Sequence, residues 1–203
     1  MRVLLDCDGV LLDWEASFRE WVTARLRRPI AAEPSDWDLS KWLRVDREEA
    51  DNLVRSFNLS KAFGNLAPVY GSQWALSALV EVGAEIHVIT SCSSLPNVRH
   101  ARSQNLVAVF GDVFASITCL PLHGTKTKAL AEHAPGAIWV EDNFTNATVG
   151  HHLGHQSFVL RRPHNKAQDG KPGPTWCDDW PHVLNTLVSS VPQGGALGDA
   201  IAI

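Results

Sequence analysis

A chain of 203 residues with 45% apolar and 20% charged side chains can enclose a sizeable core and has the length of one domain, or of one domain carrying an insertion. Eighteen basic against 22 acidic residues leave a formal charge of −4, without the cationic excess by which proteins hold long nucleic-acid backbones. The widely spaced Cys7, Cys92, Cys119 and Cys177 fit neither a disulfide scaffold nor a zinc knuckle, and no 18-residue apolar run occurs, so the chain reads as cytoplasmic, with reduced thiols and no membrane partner.

The first element is a short buried strand over residues 2–6, built on Val3-Leu4-Leu5, and it runs into the polar cluster Asp6-Cys7-Asp8-Gly9 before any secretory leader can develop. From 14 to 70 the character changes. Trp14, Phe18, Trp21, Val22 and Leu26 recur at helical spacing, Leu53, Val54 and Phe57 form a second stripe, and strand signals are sparse, which predicts a small helical cap. Trp74, Leu76, Leu79 and Val80 give a helix ahead of Gly83 and a strand over 86–90. Pro96 opens the next helix, with Leu106, Val109 and Phe110 on its packed side, and a strand follows over 115–119. A helix beginning near Thr125 carries Lys126, Leu130 and Ala134; strands at 137–141 and 157–160 flank a polar crossover containing His151, His152 and His155. Gln168–Pro174 is a loop, and Trp180, Val183, Leu184, Leu187 and Val188 form a closing helix started by Asp179 and Pro181. Residues 191–203 read as a weakly ordered tail. Alternating strands and helices predict an α/β fold: a Rossmann-like parallel sheet core made of residues 1–13 and 71–190, with the helical cap of residues 14–70 inserted after the first strand.

Four strand ends carry candidate chemistry. In Asp6-Cys7-Asp8-Gly9-Val10 two carboxylates two residues apart leave a strand together, so one can attack while the other faces a metal or moves a proton, and Gly9 permits a tight turn. Thr90 and Ser91 end an apolar strand with hydroxyl and N–H groups suited to phosphate oxygens. Lys126 stands near a helix start, where an ammonium can join backbone N–H groups around phosphate; Lys128 is its local competitor. Glu141-Asp142 closes the strand Ile138-Trp139-Val140 with two acids that suit a hard divalent cation. Each motif alone also fits an acidic turn, a cap or a solvated surface charge.

Taken in order, these motifs resemble the haloacid dehalogenase-like phosphohydrolase superfamily over nearly the whole chain. The resemblance implies that Asp6 is the nucleophile and forms an aspartyl-phosphate, that Asp8 is the general acid/base, that Thr90, Ser91 and Lys126 bind phosphate, and that Mg²⁺ sits among the Asp6 side chain, the Asp8 backbone carbonyl and the Glu141-Asp142 pair. Asp142 leads as the direct acidic ligand, with Glu141 the alternative. Within the superfamily the chain is most similar to the 5′(3′)-deoxyribonucleotidases. Phe63-Gly64-Asn65-Leu66-Ala67-Pro68-Val69-Tyr70-Gly71 resembles the segment by which their cap returns to the core, and Arg162-Pro163-His164-Asn165-Lys166 resembles a late loop. This implies Phe63 as a base contact and Arg162, His164 and Lys166 as nucleotide or phosphate contacts, while Trp14, Trp37, Trp42 and Phe57 are further aromatic surfaces of the cap. The expected activity is Mg²⁺-dependent hydrolysis of deoxyribonucleoside monophosphates. A phosphatase of sugar phosphates or other small metabolites is the alternative, followed by a noncatalytic nucleotide-binding module. The opening acids weigh against dehalogenation, and the lack of a glycine-rich Walker sequence weighs against an ATPase.

Overall fold

A computed structural model describes residues 1–34 and 37–190; the tail expected over 191–203 lies outside the described residues. Six strands form one wholly parallel sheet: β1 (Arg2–Leu5), β2 (Glu85–Ser91), β3 (Phe114–Leu120), β4 (Ile138–Glu141), β5 (Gln156–Leu160) and β6 (Thr175–Cys177), in the spatial order β3-β2-β1-β4-β5-β6. The central strands are apolar on both faces because helices cover both. Val3 and Leu5 pack into the larger core with Val88, Val140 and Phe158, whereas Leu4 faces the other side with Ile89, Leu130 and Trp139.

Among the described residues three helices fall between β1 and the remaining core: α1 (Trp14–Leu26), α2 (Leu39–Leu43) and α3 (Arg47–Asn58). Each starts on an aspartate, Asp13, Asp38 or Asp46, whose side chain accepts an N–H of the first turn. Phe18 is the hub of their packing, stacked on Trp14 at 4.4 Å between ring centroids and edge-on to Phe57 at 5.3 Å. A short 3₁₀ turn, Lys61–Asn65, leads the chain back. Exit and return run side by side: Asp13 N donates to Ala67 O, Val69 N donates to Leu11 O, and Leu12 and Pro68 form an antiparallel bridge.

The later helices are α4 (Ser72–Glu81), α5 (Pro96–Phe110), α6 (Thr127–Ala131), α7 (Phe144–His152) and α8 (Trp180–Ser190). Three of these later elements depart from the sequence expectation. Helix α7 occupies part of the polar crossover; it carries no clear apolar stripe, and Gly150 within it exists because a Cβ there would collide with the Trp139 ring. Strand β6 follows the glycine- and proline-rich loop and is too short to show a period. Helix α6 begins at Thr127, with Lys126 at its cap position, and ends before Ala134.

Candidate active site

The order of the sheet reverses between β1 and β4, and a crevice outside the carboxyl ends of the strands is where an α/β sheet offers a binding site. Asp6 follows β1 and its N–H donates to Val140 O at 3.0 Å, which extends the ladder to β4 and brings Asp6 beside Glu141 and Asp142. The next residues turn sharply. Val10, Leu11 and Leu12 all direct their N–H groups at Cys7 O, and the Trp180 indole donates to Val10 O at 2.8 Å. Gly9 has φ +74°, and a Cβ on it would run into the Asp142 carboxylate, so both the backbone conformation and the space require glycine.

Lys126 is buried between two acids: its Nζ lies 2.6 Å from Asp6 Oδ1 and donates to Glu141 Oε1 at 2.9 Å. Lys128, its competitor, is exposed. Glu141 accepts from four donors, Lys126 Nζ and Asn146 Nδ2 at Oε1, and the N–H groups of Asp142 and Asn143 at Oε2. Those four bonds fill the lone pairs of its carboxylate. Asp142 differs: the described partner of its carboxylate is His164, whose Nε2 is 3.2 Å from Oδ2, while its backbone carbonyl accepts from the buried Asn165 amide at 2.7 Å. Thr90 is fully buried, lines the same cavity, and its hydroxyl has no partner among the described residues. Ser91 also lines the cavity, but its hydroxyl donates to Gly124 O and so ties β2 to the turn that presents Lys126.

The electrostatics follow from burial. Desolvation, then the Glu141 charge, pushes the Asp6 carboxyl well above the usual carboxylate range, against the pull of Lys126. Desolvation likewise raises Asp142, opposed by His164, and raises Asp8, opposed by Arg102. Burial would raise Glu141 too, but Lys126 and its hydrogen bonds bring it below the ordinary value. Desolvation weighs against the Lys126 cation, yet Asp6 and Glu141 outweigh it and raise its pKa. Oxygens of Asp6, Glu141 and Asp142 lie within 4.8 Å of one another, and with the Glu141 oxygens taken up by their four donors, Asp6 and Asp142 are the acids open to a cation. An all-oxygen, anion-rich donor set of this kind is capable of holding a hard divalent cation and fits Mg²⁺.

The cavity above this floor has a volume of about 910 Å³ and is roofed by the inserted helices, with Trp14, Glu15, Arg47, Val54 and Trp37 on its wall. The remaining expected contacts divide. Arg162 reaches the cavity, but its Nε and Nη2 both donate to Gly9 O, so its guanidinium braces the Asp6–Gly9 turn. His164 stands between Asp142 and Glu15, 3.4 Å from the latter, with its ring 4.2 Å from that of Trp37. Two expectations need correction. Phe63 is fully buried behind the wall, where it packs edge-on against Phe57 and beneath Arg102, and Lys166 is exposed on a 3₁₀ turn outside the cavity. Phe63 satisfies the aromatic core, and Lys166 points where its charge stays hydrated. Trp42 and Phe57 are likewise buried outside the cavity lining.

Sequence reasoning missed Arg102, Asn146 and Asn165. Arg102 is fully buried in α5 with its Nη2 2.6 Å from Asp8 Oδ1. It lies in the polar run Arg99-His100-Ala101-Arg102-Ser103-Gln104-Asn105, which reads as a solvated face.

Comparisons with known proteins agree with this geometry. A family model described as 5′ nucleotidase, deoxy (Pyrimidine), cytosolic type C protein matches residues 1–178. No curated protein sequence matches. Among solved structures, a "predicted phosphatase" from Clostridium acetobutylicum superposes with a TM-score of 0.67 at 16% identity, covering 93% of this chain and 98% of the other. CbbY from Rhodobacter sphaeroides in complex with phosphate gives 0.59 at 18% identity over 88% and 94% of the two chains. L-2-haloacid dehalogenase from Xanthobacter autotrophicus gives 0.55 at 13% identity over 94% and 99%. These distant structures share the fold, and the fold alone does not choose between their chemistries.

Proposed function

Because the chain belongs to the family of cytosolic type C 5′ nucleotidases, deoxy (pyrimidine), and so is a Mg²⁺-dependent phosphatase of the haloacid dehalogenase-like superfamily, we propose that it hydrolyses deoxyribonucleoside monophosphates through an aspartyl-phosphate on Asp6. The observation that carries this reading is the meeting of Asp6, Asp142, Lys126 and the Thr90 hydroxyl, which has no partner among the described residues, on one cavity floor.

In this scheme an Asp6 oxygen attacks phosphorus while Asp8 gives a proton to the leaving alcohol; Asp8 then takes a proton from water as water attacks the aspartyl-phosphate and frees Asp6. Lys126 orients Asp6 and offsets phosphate charge, and the Thr90 hydroxyl donates to a phosphate oxygen. Asp6, Asp142 and the Asp8 backbone carbonyl would hold Mg²⁺, which supplies compensation for the repulsion between carboxylate and phosphate. Glu141, with its lone pairs occupied, holds Lys126 and the backbone of Asp142 in place. Residues 14–70 act as the cap over a core of residues 1–13 and 71–190, and Trp14 and Trp37 give the cavity wall flat surfaces against which a base can lie.

A Mg²⁺-supported phosphate-release screen over deoxyribonucleotides, ribonucleotides and sugar phosphates tests the substrate. Deoxyribonucleoside monophosphates should be turned over with the highest kcat/KM. A leading sugar phosphate would replace this reading with that of a small-metabolite phosphatase, and nucleotide binding without phosphate release would make the chain a binding module.

A further inference from the structure

Arg102 has no part in the reaction as written, yet its surroundings tie it to Asp8. Its Nη2 lies 2.6 Å from Asp8 Oδ1 and 2.8 Å from Oδ2, its Nη1 is 3.2 Å from Cys7 Sγ, and its guanidinium carbon is 4.2 Å from the centre of the Phe63 ring. Its Nε is buried with no partner among the described residues. Burying a guanidinium so incompletely bonded is a poor route to stability. The other end of the pair is open: the Asp8 side chain is 29% exposed and forms part of the cavity wall beside Asp6.

One turn further along α5, buried Asn105 exchanges two hydrogen bonds with the backbone of Leu66, accepting from its N–H at 2.9 Å and donating to its carbonyl at 3.1 Å. Leu66 directly follows the 3₁₀ turn that carries Phe63. Residues 102 and 105 share one helix face. The segment returning from the inserted helices is therefore clamped by Asn105, lays Phe63 against Arg102, and reaches Asp8 through that guanidinium.

We infer that Arg102 is a positioning residue for Asp8. It holds the carboxylate in the orientation from which the proton passes to the leaving oxygen as the P–O bond breaks, and it links that orientation to the seating of the returning segment through Phe63. This rests on the proposed role of Asp8 as proton donor.

The test compares wild type, D8N, R102M, R102K and F63L in Mg²⁺ under single turnover. Thymidine 5′-monophosphate and 2-glycerophosphate have alkoxide leaving groups that need a proton; p-nitrophenyl phosphate releases a phenolate that does not. R102M should slow release from both alkyl esters on the order of 10²-fold with KM nearly unchanged, yet slow nitrophenolate release less than about threefold. R102K should recover part of the loss, and F63L should show a smaller loss with the same ester preference. Equal slowing of alkyl and aryl esters in R102M, or an unaltered alkyl rate, overturns the inference. Should R102M not fold, R102K decides. An alkyl-selective loss of about tenfold supports the inference, because the single nitrogen of lysine cannot meet Asp8 while also keeping the contact to Cys7 Sγ and the planar group over the Phe63 ring, and a wild-type ratio of rates rejects it. D8N separates the two levels: without ester selectivity in D8N the proton-donor reading itself falls, whereas selectivity in D8N but not in the Arg102 variants refutes only the positioning role.

Discussion

The conformation of Gly9 ties the opening motif to the acidic pair across the sheet. Its φ of +74° and the closeness of the Asp142 carboxylate leave no room for a side chain. G9A should therefore displace Asp142 and raise the Mg²⁺ concentration for half-maximal phosphate release by about tenfold, the scale on which misplaced metal ligands act. An unchanged Mg²⁺ titration would show that Asp142 is not a ligand. Much of this site can be read from residues alone, because Asp6, Thr90, Lys126 and Glu141-Asp142 each close an apolar run or open a helix, and strand ends are where a parallel sheet gathers chemistry. Arg102 could not be read that way: its partner Asp8 is 94 residues away, and a mid-helix arginine among polar neighbours has the signature of surface. Phe63 misled for the complementary reason, since an aromatic near a glycine looks the same in sequence whether it faces a cavity or a core.

At the level of elements, the turn Pro163–Gln168 after β5 is an organiser of the site. Asn165 is fully buried and donates to both Asp142 O and Leu160 O, so N165A should leave two carbonyls unpaired and lower stability by about 2–4 kcal/mol. Thermal unfolding would register this, and an unshifted Tm would contradict it. From the same turn His164 bridges Asp142 and Glu15 of α1. Burial opposes its charge, but those two carboxylates raise its pKa to about 9. A folded-state pKa above the ordinary value of about 6.5 means that the bridge stabilises fully below that pH and loses its contribution as pH rises through about 9. In metal-free protein the Tm advantage of wild type over H164Q should shrink between pH 6 and 9.5, and a constant advantage would exclude a protonated bridge. The elements hidden from sequence, α2, α7 and β6, are short or lack a stripe, so periodicity gave no signal, whereas α3 and α8 announce themselves by apolar residues at helical spacing.

Across the whole molecule, the parallel sheet brings side chains distant in the chain to one edge, and helices α1, α2 and α3 roof that edge to leave a cavity. The alternation of strands and helices made the fold class readable, but the reversal of strand order between β1 and β4, which creates the crevice, has no local signature. Among the described residues no helix is long and apolar enough to cross a membrane, in line with the absence of a long apolar run. Catalysis as proposed depends on Asp6 as the atom donor to phosphorus. Rapid acid quench of the protein turning over thymidine 5′-monophosphate in Mg²⁺, followed by peptide mass spectrometry, should find a phosphoryl adduct on Asp6 that is absent from D6N, with D6N turnover reduced by at least about 10³-fold. Undiminished turnover in D6N, or an adduct on any other residue, would contradict it.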